Sequence, residues 1–282
     1  MKVLVFGAAG IVGRATFAEA ERRGWTVTGL SRGACDVTDA AAVATAVAAA
    51  RPDLVINCAA FTRVDLCESE PEAARLANGV APGLLAEACA RSGARLVHLS
   101  TDYVFDGTAR RPYLEDDPTG PRSVYGATKL EGERRALAVD GSLVVRTSWI
   151  FGAGGPNFVD TMRARMAPGA EPLRVVDDQT GAPTWAPFLA RALADLGESG
   201  AAGIVHYQNR DTVTWYGFAR EIARQLGTTV EIRPVTTAEV PRPAPRPAWS
   251  VLDVERFERL AGRRVEDWRA GLAEHLNTSG ER

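Results

Sequence analysis

Lys2-Val3-Leu4-Val5-Phe6-Gly7-Ala8-Ala9-Gly10-Ile11-Val12-Gly13 is the stretch that decides the fold of this chain. A short apolar run enters a turn holding three glycines spaced three apart, and an Ala- and Glu-containing segment follows. An uninterrupted apolar run of this length reads as a strand covered on both faces. Gly7 suits a tight turn. Gly10 lets the backbone approach a pyrophosphate at the positive end of the helix that begins with Ile11 and Val12, and Gly13 lets that helix pack close to the strand. Strand, glycines and helix in this order predict a dinucleotide-binding turn.

Outward from this turn the same alternation recurs. Apolar runs stand at Thr26–Leu30, Leu54–Asn57, Leu96–Ser100 and Leu143–Thr147, and helical stretches at Gly10–Arg23, Thr38–Arg51, Pro71–Ser92 and Ser123–Asp140. Thr38 and Asp39 suit one helix start, Ser69 and Pro71 another. Buried strands alternating with helices give an α/β fold, a doubly wound parallel sheet with right-handed crossovers. After residue 150 the pattern loosens. Helices are predicted at Phe158–Met166, Trp185–Leu196, Thr214–Leu226, Val254–Leu260 and Val265–Leu276, and strands at Leu173–Val176 and Ile204–Gln208. Four prolines in Pro241–Pro247 impose an extended loop. This C-terminal part reads as a smaller α/β lobe beside the sheet.

The 282 residues have room for one large or two medium domains. A hydrophobic share of 46% with 24% charged residues is that of a folded globular chain, not a disordered one. The net charge of −2 offers no basic face to nucleic acid. The apolar runs fall short of the ~20 residues of a membrane helix, and Met1–Gly7 lacks the long apolar core of a signal peptide. No nucleic-acid or membrane partner is expected, and the expected location is cytoplasmic. Cys35, Cys58, Cys67 and Cys89 form no CxxC pair and only three histidines exist, so neither a disulfide framework nor a metal site is expected. Lys2 and Lys129 are the only lysines beside 31 arginines. A lysine kept in the middle of such a chain marks a place that a planar, forked guanidinium serves poorly.

The end of the second strand selects the cofactor. Thr28-Gly29-Leu30-Ser31-Arg32-Gly33 carries no acid for the adenosine ribose of NAD, while Arg32 suits a 2′-phosphate, so NADPH is expected ahead of NADH. Asp36 and Val37 are placed for the adenine. Cys58, Ala59 and Ala60 leave room for the nicotinamide-side ribose. In Tyr125-Gly126-Ala127-Thr128-Lys129, the phenol and the ammonium are four residues apart on a predicted helix and share a face. The lysine is expected to stabilise phenolate, lowering a pKa near ~10 toward neutrality, and to hold cofactor ribose. Ser100 or Thr101, at the end of the fourth strand, can donate a hydroxyl to a carbonyl that Tyr125 protonates. His98, inside that strand, reads as a core histidine. Trp185, Trp215 and Tyr216 read as packing.

The strings STDYVFDG (100–107), YGATKLEGE (125–133), VVRTSWIFG (144–152) and DDQTGAPT (177–184), with the late Arg246-Pro247, resemble the dTDP-4-dehydrorhamnose reductase family of the extended short-chain dehydrogenase/reductases. The resemblance covers nearly the whole chain. It implies a Thr101–Tyr125–Lys129 triad and a nucleotide sugar as partner. It also implies a dinucleotide-binding domain over 1–150 and a mainly sugar-nucleotide-binding lobe over 151–282, some of whose segments return to the first domain. Val64, Trp149, Asn157, Gln179 and Arg246 are thereby expected at the sugar nucleotide. The implied reaction is NAD(P)H-dependent reduction of a 4-keto-6-deoxyhexose. A 4,6-dehydratase needs an Asp–Glu pair, whereas Asp102 precedes Tyr103 here. A 4-epimerase, and a non-catalytic regulatory subunit resembling that of methionine adenosyltransferase, share parts of the pattern. Some members join dimers through Mg2+ held by acids near the glycine turn, but Arg14-Ala15-Thr16 offers none. A monomer or a homodimer is expected.

Overall fold

A computed structural model describes residues 1–167 and 169–278. Its centre is a six-stranded, all-parallel sheet. Strands β1 (Lys2–Phe6), β2 (Thr26–Leu30), β3 (Leu54–Asn57), β4 (Arg95–Thr101) and β5 (Leu143–Thr147) lie in the order β2-β1-β3-β4-β5, and Gly203–His206 pairs with β5 at the far edge. Side chains alternate across the sheet because the strand period is two. Val3, Val5, Leu54, Ile56, Val97, Leu143 and Val145 face one layer, while Leu4, Phe6, Val55, Leu96 and Val144 face the other. Helix α1 (Ile11–Arg22) lies on the first face, while α2 (Ala40–Ala50) and α5 (Ala81–Ser92) cover the second. Asp39 caps α2 by accepting the Ala41 and Ala42 amides, as its place before the alanine run predicts.

The predicted single helix over Pro71–Ser92 is three pieces. After α3 (Val64–Ser69) come α4 (Pro71–Ala74), a π-helical turn at Arg75–Val80, and then α5. Pro82 has no N–H to give the Asn78 carbonyl. That carbonyl instead lies against Gly132 of α6 (Val124–Leu137), where a Cβ would come within 2.0 Å of it. Ser123 starts α6 by accepting the Gly126 N–H at 3.1 Å.

Beyond residue 150, α7 (Phe158–Arg165), α9 (Trp215–Leu226) and α10 (Trp268–Thr278) surround a separate core containing Phe151, Met162, Phe218 and Trp268. Short strand pairs, Leu173–Val176 with Ile232–Val235 among them, frame this lobe. Two later segments lie with the large sheet. One is the edge strand Gly203–His206. The other is α8 (Ala186–Ser199), whose Leu189, Leu193 and Leu196 share the core of β1, β3 and β5. The predicted strand Ile204–Gln208 therefore extends the sheet, because Val205 and Tyr207 are buried in that core. The carboxyl ends of the strands face a cleft. Lys2 lies at the opposite, amino end of β1.

Candidate active site

The cleft comprises two cavities that share Gly10, Cys58 and Ala60. The first, about 450 Å3, has Gly7, Ser31, Arg32, Asp36 and Val37 on one side and Ala59 on the other. Gly7 has φ +74°, and a Cβ there would meet the Cys58–Ala59 backbone at 2.6 Å. Gly13 lines neither cavity. It lies under the turn, where a Cβ would stand 2.1 Å from the Gly7 carbonyl. The first turn of α1 holds no acid and no side chain caps it, so its amides are free to face an anion. Arg14 Nε braces the turn through the Ala9 carbonyl at 2.9 Å. Hydrogen bonds from the Thr38 amide and hydroxyl hold the Asp36 carboxyl below the usual range. Arg32 is exposed and makes no hydrogen bond or ion pair among the described residues. A dinucleotide fits this cradle, since the backbone approach that Gly7 and Gly13 allow is closed to any larger residue.

The second cavity, about 520 Å3, brings together Ile11, Val12, Thr101, Tyr125 and Lys129, with Val64 and Trp149 on its walls. Thr101 ends β4 and donates to Asp102 Oδ1 at 2.9 Å. Ser100 is committed elsewhere. Its hydroxyl donates to Glu133 at 2.5 Å, and Glu133 also takes both ends of the buried Arg146 guanidinium at 2.8 and 2.9 Å. Of the two hydroxyls, Thr101 is the one beside Tyr125.

The tyrosine–lysine pair departs from expectation. Burial pushes the Tyr125 phenol up, while the nearby Thr101 hydroxyl pulls the other way. Lys129 is not what lowers it. The residue is 2% exposed, and its ammonium donates to the Leu99 carbonyl at 2.6 Å and is lowered by burial to about 8.

Three sequence-predicted contacts lie outside both cavities. Asn157 caps α7 and donates to the Gly152 and Gly155 carbonyls at 3.0 and 3.2 Å, so it shapes the loop whose Gly154 and Gly155 line the cleft. Gln179 donates to Thr237 at 2.9 Å inside the smaller lobe. Arg246 pairs with Asp65 of α3 at 2.9 Å, and Ala244 N–H also donates to Asp65 at 3.2 Å. The proline-rich loop is thereby strapped beside Val64. Trp149 is in the cavity wall at φ +47°, stacked on Trp215 with ring centres 3.6 Å apart. Gly181 supplies its floor, since a Cβ there would stand 2.5 Å from the indole.

Asp102 and Tyr103 also line the cavity, although the sequence reading used them only against a dehydratase and did not place them at the site. Their signal was present in the 100–107 string. Asp102 is buried with Oδ2 unpartnered, and burial raises its carboxyl to about 6. Tyr103 packs edge-on to Tyr125 at 5.5 Å. Among the described residues, no cluster of three or more His, Cys, Asp or Glu side chains is placed to hold a metal, and no helix is long and apolar enough to cross a membrane.

The model of the RmlD substrate binding domain family matches residues 1–280. This chain belongs to the dTDP-4-dehydrorhamnose reductase family. A dTDP-4-dehydrorhamnose reductase of Streptomyces griseus is 49% identical over 279 residues, covering 96% of this chain and 91% of that protein. A probable dTDP-4,6-dihydroxy-2-methyloxan-3-one 4-ketoreductase of Streptomyces antibioticus is 45% identical, covering 97% and 94%. The crystal structure of a Bacillus anthracis dTDP-4-dehydrorhamnose reductase in complex with NADP superimposes with a TM-score of 0.94 at 32% identity, covering 98% and 99%. Membership in the reductase family accounts for a cleft divided into a glycine-lined half and a half lined by hydroxyls.

Proposed function

We propose that this protein reduces the 4-keto group of a dTDP-activated 6-deoxyhexose with NADPH, converting dTDP-4-dehydrorhamnose to dTDP-L-rhamnose or acting on a related keto sugar. The observation that carries this is the meeting of Thr101, Tyr125 and Lys129 in a cavity continuous with the glycine turn. The names of its relatives in Streptomyces griseus and Streptomyces antibioticus support the substrate class. Arg32 and the lack of an acid after β2 support NADPH, as does the NADP bound to the Bacillus anthracis relative.

NADPH, when bound, would supply the hydride for the carbonyl carbon. Gly7, Gly10 and the amides at Ile11 and Val12 would hold its pyrophosphate, with Ser31, Arg32, Asp36 and Val37 at the adenosine end and Cys58, Ala59 and Ala60 at the other. Thr101 orients the sugar carbonyl, and Tyr125 gives its proton to the oxygen. Burial keeps that phenol protonated over the whole neutral range, so the proton to be given is in place, while its release depends on what steadies the phenolate. Lys129, once protonated, steadies the phenolate left behind. Val64 and Trp149 enclose the sugar, and Arg246 guards the rim from its place on Asp65. We further read residues 1–150 as the dinucleotide domain and 151–282 as mainly the sugar-nucleotide lobe, with α8 and Gly203–His206 completing the former. Four unpaired cysteines support a reducing, cytoplasmic setting. The working unit is read as a monomer or homodimer.

Purified protein should consume NADPH when given a dTDP-4-keto-6-deoxyhexose, and NMR of the product should show one configuration at C4. Tyr125→Phe should lower kcat by ~10²–10⁴-fold while NADPH still binds. A Tyr125→Phe variant with the native rate overturns the assignment.

A further inference from the structure

His98 is fully buried in β4 beneath the cleft, and both of its ring nitrogens face groups of fixed chemistry. The Asn57 side-chain oxygen accepts the Ala59 N–H at 3.0 Å. The amide nitrogen of Asn57, a donor only, therefore faces His98 Nδ1 at 3.0 Å, and Nδ1 must accept. Burial, with Lys129 adding to it, holds the ring neutral. A neutral ring that accepts at Nδ1 carries its one proton on Nε2. Nε2 stands 3.4 Å from Lys129 Nζ. An N–H aimed at an ammonium finds no acceptor, whereas one aimed at a free amine finds its lone pair.

We propose that Asn57 and His98 are positioning residues for Lys129: Asn57 fixes the Nε2–H tautomer, and that N–H, directed at Nζ, favours the uncharged amine and adds to burial in lowering the pH at which Lys129 gives up its proton. The other groups around Nζ do not supply this control. Glu133, from the same helix, would hold the proton on Lys129, but its carboxylate is shared with Arg146 of β5 and Ser100 of β4. Cys58, after β3, acts weakly in the same sense as Glu133. Tyr125, one turn earlier on α6, stays a neutral phenol. The Leu99 carbonyl accepts from amine and ammonium alike. The consequence reaches the cofactor loop as well, because the Asn57 amide that selects the tautomer through its nitrogen also pins the Ala59 N–H at the cavity wall through its oxygen.

The kinetic consequence rests on the reductase reading. The tautomer and the titration do not. Because the chain has two lysines and three histidines, isotope labelling of each type gives few side-chain signals, and Lys129→Met assigns the lysine pair. The 15N spectrum of His98 is expected to show a protonated Nε2 and a bare Nδ1. In Asn57→Asp, the carboxylate accepts both the Ala59 N–H and a proton from Nδ1, which turns the Nε2 lone pair toward Lys129. The Lys129 titration should then move up by more than about 1 pH unit, and the alkaline limb of kcat should move with it. The same substitution in a His98→Leu background should shift Lys129 much less. A proton found on Nδ1 in the native protein overturns the proposal, as does a full Asn57→Asp shift without the ring. If a variant does not fold, the native histidine spectrum decides alone. Expected lysine and histidine signals without keto-sugar turnover would sink the reductase reading and leave this inference standing.

Discussion

At the scale of the residue, Trp149 shows how one side chain is held for use. A bulky residue at positive φ costs about 1–3 kcal/mol, and it persists only where its surroundings fix it. Here the Trp215 ring covers one face and Gly181 leaves room for the indole. Gly181→Ala should displace the ring and lower kcat/KM for the keto sugar by roughly 10–100-fold, while the Kd for NADPH measured by fluorescence stays unchanged. Thr101, Tyr125 and Lys129 could be read from the sequence because their geometry is local: a strand end, and a four-residue spacing on a helix. Gln179 and Asn157 could not. A polar side chain in a loop either faces a cavity or satisfies a nearby backbone, and the choice depends on partners such as Thr237, 58 residues from Gln179. The string holding Gln179 did point to the site, but through the absent side chain of Gly181.

At the scale of the element, the break in the predicted helix over Pro71–Ser92 is the instructive case. Both ends of the stretch are rich in helix formers, but Asn78-Gly79 and Pro82-Gly83 interrupt its middle, and a reading by Ala, Glu and Leu content passes over them. The cut comes from Pro82, which leaves the Asn78 carbonyl without its helical donor, together with Gly132, more than fifty positions further on, against which that carbonyl lies only after folding. Gly132→Ala would drive a methyl into the Asn78 carbonyl, and α6 or the π-helical turn would have to yield. The expected loss is about 1–3 kcal/mol, read as a lower urea midpoint with the m-value unchanged. Asn78 also ties the Phe61 loop to Thr128 of α6. The same variant should therefore weaken NADPH binding, which Gly181→Ala does not.

Over the whole molecule, the layered sheet and its order of strands and helices were legible because buried parallel strands carry continuous apolar runs. The return of α8 and Gly203–His206 to that sheet was not, since an apolar strand of four residues has no feature naming its neighbour. This architecture buries His98 and His206 as neutral rings, with burial lowering His206 to about 3. Their unfolded counterparts take up protons near pH 6.5. Unfolding thus binds protons as pH falls, and stability is lost below pH 6.5, by up to about 1.4 kcal/mol per pH unit for each ring. Asp102, raised to about 6 from 3.8, works in the opposite sense between those values and offsets one ring at most. The urea midpoint should therefore drop steadily from pH 7 to pH 5.

The near-absence of lysine also bears on how the protein can be handled. Of the two lysines, Lys129 is sealed inside, so amine-directed coupling to lysine falls on Lys2, at the foot of the first strand. A resin or sensor surface grafted through amines would grip every molecule by the same end and leave the mouth of the cleft pointing outward into the flow.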